Sequence, residues 1–228
     1  MNLLITSAAS ATAKIIIGAL GGMHTLRLTD LPGKTSGDII ENELGHESET
    51  DELVAGIDAI VNIGYQGQSG LNTHLMDYHT RRMYNLLQAA SDADVKRYIN
   101  ISTLKLFQDH EENLVVTEKW HSDPPTDDIE LLGAHMAEYV CKEFARDRLI
   151  QVVNLRLGWP FVGDSLAGPD DTAAISHYMI GESIMAALTT EELIQWQDIH
   201  VQSPVDHQRF ITKTAARLLP ELAGRLSS

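Results

Sequence analysis

Three places in this 228-residue chain carry residue types at spacings that could do chemistry. The first begins with an apolar run at 3–6 and the small-residue turn Thr6-Ser7-Ala8-Ala9-Ser10-Ala11-Thr12-Ala13. It continues through a helix over 13–20 and a strand over 25–29 to Asp30. In that order of elements a helix N-terminus can receive a pyrophosphate, and an acid ending the second strand can accept from ribose hydroxyls. Glycines normally let the backbone of such a turn approach the phosphates, and this turn has none. Two readings stand: a helix start capped by Ser10, or a reshaped turn in which Ser7, Ser10 and Ala11 meet the phosphates. Asp30 is likewise either a ribose acceptor that favours NAD over NADP, or a plain turn acid beside Leu31-Pro32-Gly33. The second place is Asn62, Gly64 and Tyr65, after an apolar run over 59–63, where parallel sheets meet their ligands. The third is a hydroxyl pair, Ser102 and Thr103, ending a strand over 98–102, followed by a long helix carrying Tyr139 and Lys142. Spaced by three on one helix, Tyr139 and Lys142 could pair, although Tyr139 reads as a core or interface residue and Lys142 as a solvated one.

The ten histidines pose a metal question. His74 and His79 are five apart, which misses the four-residue spacing of a helical metal pair, and no cysteine joins them or His110 and His121. No metal is expected. Cys141, the single cysteine, sits among apolar residues and reads as buried and inert; it also excludes an intrachain disulfide.

Positioning these groups requires alternating strands and helices. Apolar runs at 3–6, 25–29, 59–63, 98–102 and 151–157 alternate with helical patterns at 13–20, 75–93 and 131–148, the mark of βαβ units and a mainly parallel sheet. A Gly-, Asp- and Pro-bearing loop over 163–171 follows. Then come a helix over 176–188, a short strand over 198–202 and a last helix over 206–219.

In order and spacing these segments resemble the extended short-chain dehydrogenase/reductase family, in its NAD-dependent epimerase/dehydratase branch. The residues that carry the resemblance are Leu4-Ile5-Thr6, Gly56 to Val61, Tyr84 to Ala90, Val95 to Tyr98, Ile101-Ser102-Thr103, Gly133-Ala134 through Glu138, and Leu155-Arg156-Leu157-Gly158. The resemblance implies a doubly wound, Rossmann-like α/β sheet with helices on both faces. It divides the chain into a nucleotide-binding-type domain at 1–158 and a reduced C-terminal substrate lobe at 159–228. It also implies a turn of the form T-G-x-x-G-x-x-G, in which Ser7, Ser10 and Ala13 replace the glycines. The family's reaction needs a Tyr and a Lys four apart, so that the ammonium lowers the phenol pKa and the phenol moves the substrate proton. Aligned on Gly133-Ala134, those positions are Leu132 and Met136, and neither can transfer a proton. Thr103 matches the assisting hydroxyl and is left as a vestige.

The expectation is therefore a degenerate member, acting as a binding or regulatory protein, with NAD as a doubtful cofactor. Its alternative is an atypical NAD-dependent oxidoreductase or sugar epimerase/dehydratase using a reshaped turn. The family's homodimer would form through helices 75–93 and 131–148, and a small-molecule ligand would enter at the sheet edge. A net charge of −15 disfavours nucleic acid and anionic membranes, and no run of about 18 apolar residues could span a bilayer. With no recognisable signal segment and no disulfide, a cytoplasmic setting is expected. The acidity is uneven: residues 35–80 hold nine acids and no Lys or Arg, and residues 109–130 hold eight acids and one Lys.

Overall fold

The structure, a computed structural model, describes residues 1–34, 37–64, 72–161, 173–205 and 208–219. Seven strands form one parallel sheet: β1 (Asn2–Ile5), β2 (Thr25–Asp30), β3 (Ile40–Glu41), β4 (Ala59–Ile63), β5 (Arg97–Thr103), β6 (Gln151–Leu157) and β9 (Trp196–Val201), in the order β3-β2-β1-β4-β5-β6-β9. Two three-residue strands, β7 (Trp159–Phe161) and β8 (Ala174–Ser176), pair separately. Strand order reverses between β1 and β4, so the crevice beyond their carboxyl ends is where such a sheet takes ligands.

One face is covered by α1 (Ala11–Leu20) and α6 (His177–Thr189), and the strand residues packed in its core are apolar, from Leu3 and Ile5 through Val61, Ile99, Ile101, Val153 and Leu155 to Ile199 and Val201, with Arg97 at the rim donating to the Ala187 and Leu188 carbonyls of α6. The other face packs on α2 (Ser48–Val54), α4 (Met83–Asp92) and α5 (Ile129–Arg146). There Leu4, Ile60, Tyr98 and Val152 form a dry layer, but two residues further along each strand the chain switches to polar side chains. Asn62, Asn100, Asn154 and Asp198 lie in register across four strands.

Several elements differ from the sequence expectation. The helix expected over 75–93 is α3 (Asn72–Asp77), a π-helical turn (Tyr78–Arg82) and then α4. Strand β9, expected in the C-terminal lobe, is the sheet's edge strand, because Ile199 and Val201 complete the α1/α6 core. Helix α2 was missed: its seven residues, Ser-Glu-Thr-Asp-Glu-Leu-Val, read as a charge run, and only Thr50, Leu53 and Val54 are buried. The last helix, α7, is shorter than expected (Lys213–Leu218). The loop over 163–171 lies outside the described residues. Among the described residues no helix is long and apolar enough to cross a membrane.

Candidate functional site

At the carboxyl ends of β1 and β2 the turn holds itself together. Ser7 takes a left-handed backbone (φ 46°), the conformation glycine adopts without cost. Its hydroxyl meets the Tyr78 phenol at 2.6 Å, and Ser7 is only 2% exposed. Ser10, 3% exposed, accepts from the Ala13 N–H and so caps α1. Asp30 accepts from the Ala9 N–H at 3.0 Å and the Leu31 N–H at 2.7 Å, so both its carboxylate oxygens face the chain's own backbone. Of the expected phosphate contacts, only Ala11 is exposed. Tyr65 lies outside the described residues.

Tyr78 was not singled out in the sequence. It reaches the turn because the π-helical turn at Tyr78–Arg82 adds a residue to the helix and rotates Tyr78 and His79 inward. Burial, against the smaller pull of the Ser7 hydrogen bond, raises the Tyr78 phenol pKa and keeps it neutral. His79 packs edge-on to Tyr78 and against Gly133 of α5, where any Cβ would collide with the imidazole. Burial lowers His79 to about 4, so it is a neutral packing group at physiological pH.

From the turn a chain of side-chain hydrogen bonds crosses the sheet. The Thr6 hydroxyl accepts from the Ile63 N–H and donates to Asn62 Oδ1. Asn62 Nδ2 donates to Asn100 Oδ1 (3.1 Å), Asn100 Nδ2 to Asn154 Oδ1 (2.8 Å), and Asn154 Nδ2 to Asp198 Oδ1 (2.8 Å). All three amides point their donors toward Asp198, which favours its negative charge. Gly64 serves this chain, since a Cβ there would strike the Asn100 side chain. Arg156 closes the far end, with Nη2 between Glu138 (2.6 Å) and Asp198 (3.3 Å) and Nε on Glu138. Glu138 also accepts from the Ser102 hydroxyl at 2.6 Å. Burial opposes charge on Glu138, yet Arg156 holds its carboxyl below the ordinary value; for Asp198, burial outweighs Arg156 and raises it.

A sequence profile of the NAD-dependent epimerase/dehydratase family matches residues 9–202. The chain belongs to that family. Solved structures agree in fold. Uronate dehydrogenase from Agrobacterium tumefaciens is 17% identical, with a TM-score of 0.81 over 99% of this chain and 88% of that one, and a tyrosine-to-alanine mutant of it is known in complex with NAD. Glucuronic acid dehydrogenase from Chromohalobacter salexigens is 18% identical (TM-score 0.80, covering 95% of this chain and 82% of that one). UDP-N-acetylglucosamine 4-epimerase from Bacillus cereus is 14% identical (TM-score 0.76, covering 96% and 92%). No curated protein sequence matches.

The resemblance places the Tyr/Lys pair near the start of α5. Its first ten residues, Ile129 to Glu138, include neither Tyr nor Lys. Leu132 and Met136, the positions that the resemblance assigns to the pair, lie off the line of α5 that faces the sheet. Glu138 faces Ser102 of β5, and residues four apart stack on one helical face, so the line facing the sheet runs Glu130, Ala134, Glu138. Glu130 and Ala134 are buried on that line, while Leu132 and Met136 are only half-buried on another side. The Thr103 hydroxyl accepts from the Lys105 N–H and caps the short 3-10 turn Leu104–Phe107.

Tyr139 is 50% exposed, not a core residue, and shares with Lys142 the flank of α5 that carries His135. Cys141 is buried against Met83, and burial pushes its thiol pKa up. Among the described residues no group of three His, Cys, Asp or Glu side chains could hold a metal; the His110 imidazole instead meets the His121 carbonyl.

Proposed function

We propose that this chain is a binding member of its family that has given up proton transfer, and that it acts through a bound small molecule or a second copy of itself rather than by turnover. The observation that carries this reading is the absence of a phenol and an ammonium from the first ten residues of α5, beside a Thr103 hydroxyl that caps the next turn. The turn supports it: with Ser7 on Tyr78, Ser10 on Ala13 and Asp30 on Ala9 and Leu31, a dinucleotide would have to displace internal hydrogen bonds before making its own. The reading includes a homodimer across α4 and α5, supported by the half-exposed Tyr84 on α4, and a cytoplasmic setting for the lone buried thiol. A monomer in light scattering at high concentration would remove the dimer.

The test is turnover. With NAD and glucuronate or UDP-N-acetylglucosamine, compounds named for the structural neighbours above, the expected result is no formation of NADH or epimer above the uncatalysed rate. Steady turnover of any of them would overturn the reading.

One observation favours a second reading, an active enzyme with altered chemistry. Glu130 is buried at the start of α5 on the line that faces β5, where a carboxylate could move a proton in place of a phenol. That reading predicts activity that disappears in Glu130→Gln with the fold intact.

A further inference from the structure

A cavity of about 330 Å³ lies on the flank of α5 that carries Tyr139 and Lys142, closed by the 118–122 loop and by β9. Its size falls at the lower end of the roughly 300–1,000 Å³ typical of small-molecule sites. It is remote from the switch point between β1 and β4, since the whole run of Asn62, Asn100 and Asn154 separates Thr6 from Asp198.

The floor of this cavity carries excess negative charge. Arg156 and Glu138 have side chains only 7% and 6% exposed and neutralise each other, and Asp198 shares the same guanidinium. Glu118 adds a further carboxylate, and its Oε1 is buried with no hydrogen-bond partner among the described residues. A buried acceptor left without a donor is costly, and Glu118 as a residue is only half-buried, so rotation of its carboxylate toward the cavity would offer that oxygen to a ligand's donor. The walls include Trp120 and Trp196, and the Trp196 indole N–H donates to Asp198 Oδ2 at 2.8 Å, which fixes that ring. The mouth has the opposite sign, because Lys142 and Lys119 line the cavity and are exposed.

The gradient selects by charge. A simple anion meets surplus carboxylates on the floor, and a simple cation must pass ammonium groups at the mouth. A molecule with an ammonium at one end and a carboxylate at the other satisfies both, and indole faces favour the cationic end. We propose that this flank cavity binds a small zwitterion of the α-amino-acid class, its ammonium on Glu118 and Asp198 and its carboxylate toward Lys142. The inference is independent of the proposed function, since none of these residues takes part in the cofactor turn or faces Thr103.

Two of the three tryptophans line the cavity, so intrinsic fluorescence reports on it directly. The experiment titrates the full chain with each of the common L-amino acids and with the decarboxylated amine of any that binds. At least one amino acid is expected to give a saturable change with a Kd of about 1 mM or tighter, and its amine to bind about tenfold more weakly. Glu118→Gln and Lys142→Gln, at positions that are not buried, are each expected to weaken binding about tenfold without moving the melting temperature. Three results would overturn the proposal: no saturable change up to about 10 mM, an amine that binds as well as its amino acid, or binding unaffected in both variants.

Discussion

The two ends of one hydrogen-bonded chain differ in what they leave for a ligand. At the Thr6 end, beside the switch point, the serine hydroxyls and the Asp30 carboxylate that could meet a dinucleotide bond to the protein itself. At the Asp198 end, a buried Arg156 joins two carboxylates beside a cavity, and a third carboxylate, Glu118, keeps a buried oxygen without a hydrogen-bond partner among the described residues. The first end lies at the switch point, where parallel sheets take ligands, and the second lies at the β9 edge of the sheet. Polar groups at a sheet edge therefore become informative when their partners have been counted.

The largest expected effect is at the second end. Arg156→Met should cost about 3–5 kcal/mol in urea unfolding, because it leaves Glu138 and Asp198 buried without their cation. Converting Glu138 to Leu in the same chain should recover most of that loss. A cost near zero would mean that these carboxylates are solvated and that the contrast between the two ends fails.

Next is the pH dependence of His79. Its folded pKa of about 4 lies below the ordinary value of 6.5, so the unfolded chain binds more protons between those limits. This contribution is fully present above about pH 6.5 and is lost as pH falls toward 4, amounting to about 3 kcal/mol. His79→Gln should flatten that part of the stability curve by the same amount when unfolding is followed from pH 7 to 4. An unchanged slope would place the imidazole in contact with water.

Asn100→Leu should then cost about 2 kcal/mol in the same assay, because it leaves the Asn62 donor and the Asn154 acceptor unpaired while the strands remain packed. The smallest effect is at the first end. Ser7→Gly removes a hydroxyl contact but also the left-handed strain, so its stability should stay within about 1 kcal/mol of the native chain. Ser7→Ala removes the same hydroxyl but keeps the left-handed strain, so it should fall about 1 kcal/mol below Ser7→Gly. Equal stabilities of the two variants would show that the left-handed backbone at Ser7 carries no strain.

Much of the fold was legible because its strands are apolar runs covered on both faces. β4 and β6 were bounded correctly, and the order of elements carried the family match. The misses share a cause: they depend on residues that make sense only in three dimensions. Helix α2 is acidic and short, so its three buried residues are hidden among charges. The π-helical turn leaves no mark in a 3.6-residue pattern, and so Tyr78 went unnoticed as the partner of Ser7. The register of α5 was taken from a Gly-Ala pair, whereas the hydrogen bond from Ser102 to Glu138 fixes the face that meets the sheet. The polar chain was present in the sequence as Asn62, Asn100, Asn154 and Asp198, but only the pairing register of four strands reveals it as one chain.

The central claim, that the cofactor turn is closed onto its own side chains, is tested most directly by titrating the full chain with NADH and following nicotinamide fluorescence. The account predicts no saturable signal up to about 1 mM, and a signal that emerges only when Tyr78→Phe and Ser7→Gly are combined to release the turn. Saturable binding by the native chain at micromolar NADH would contradict it.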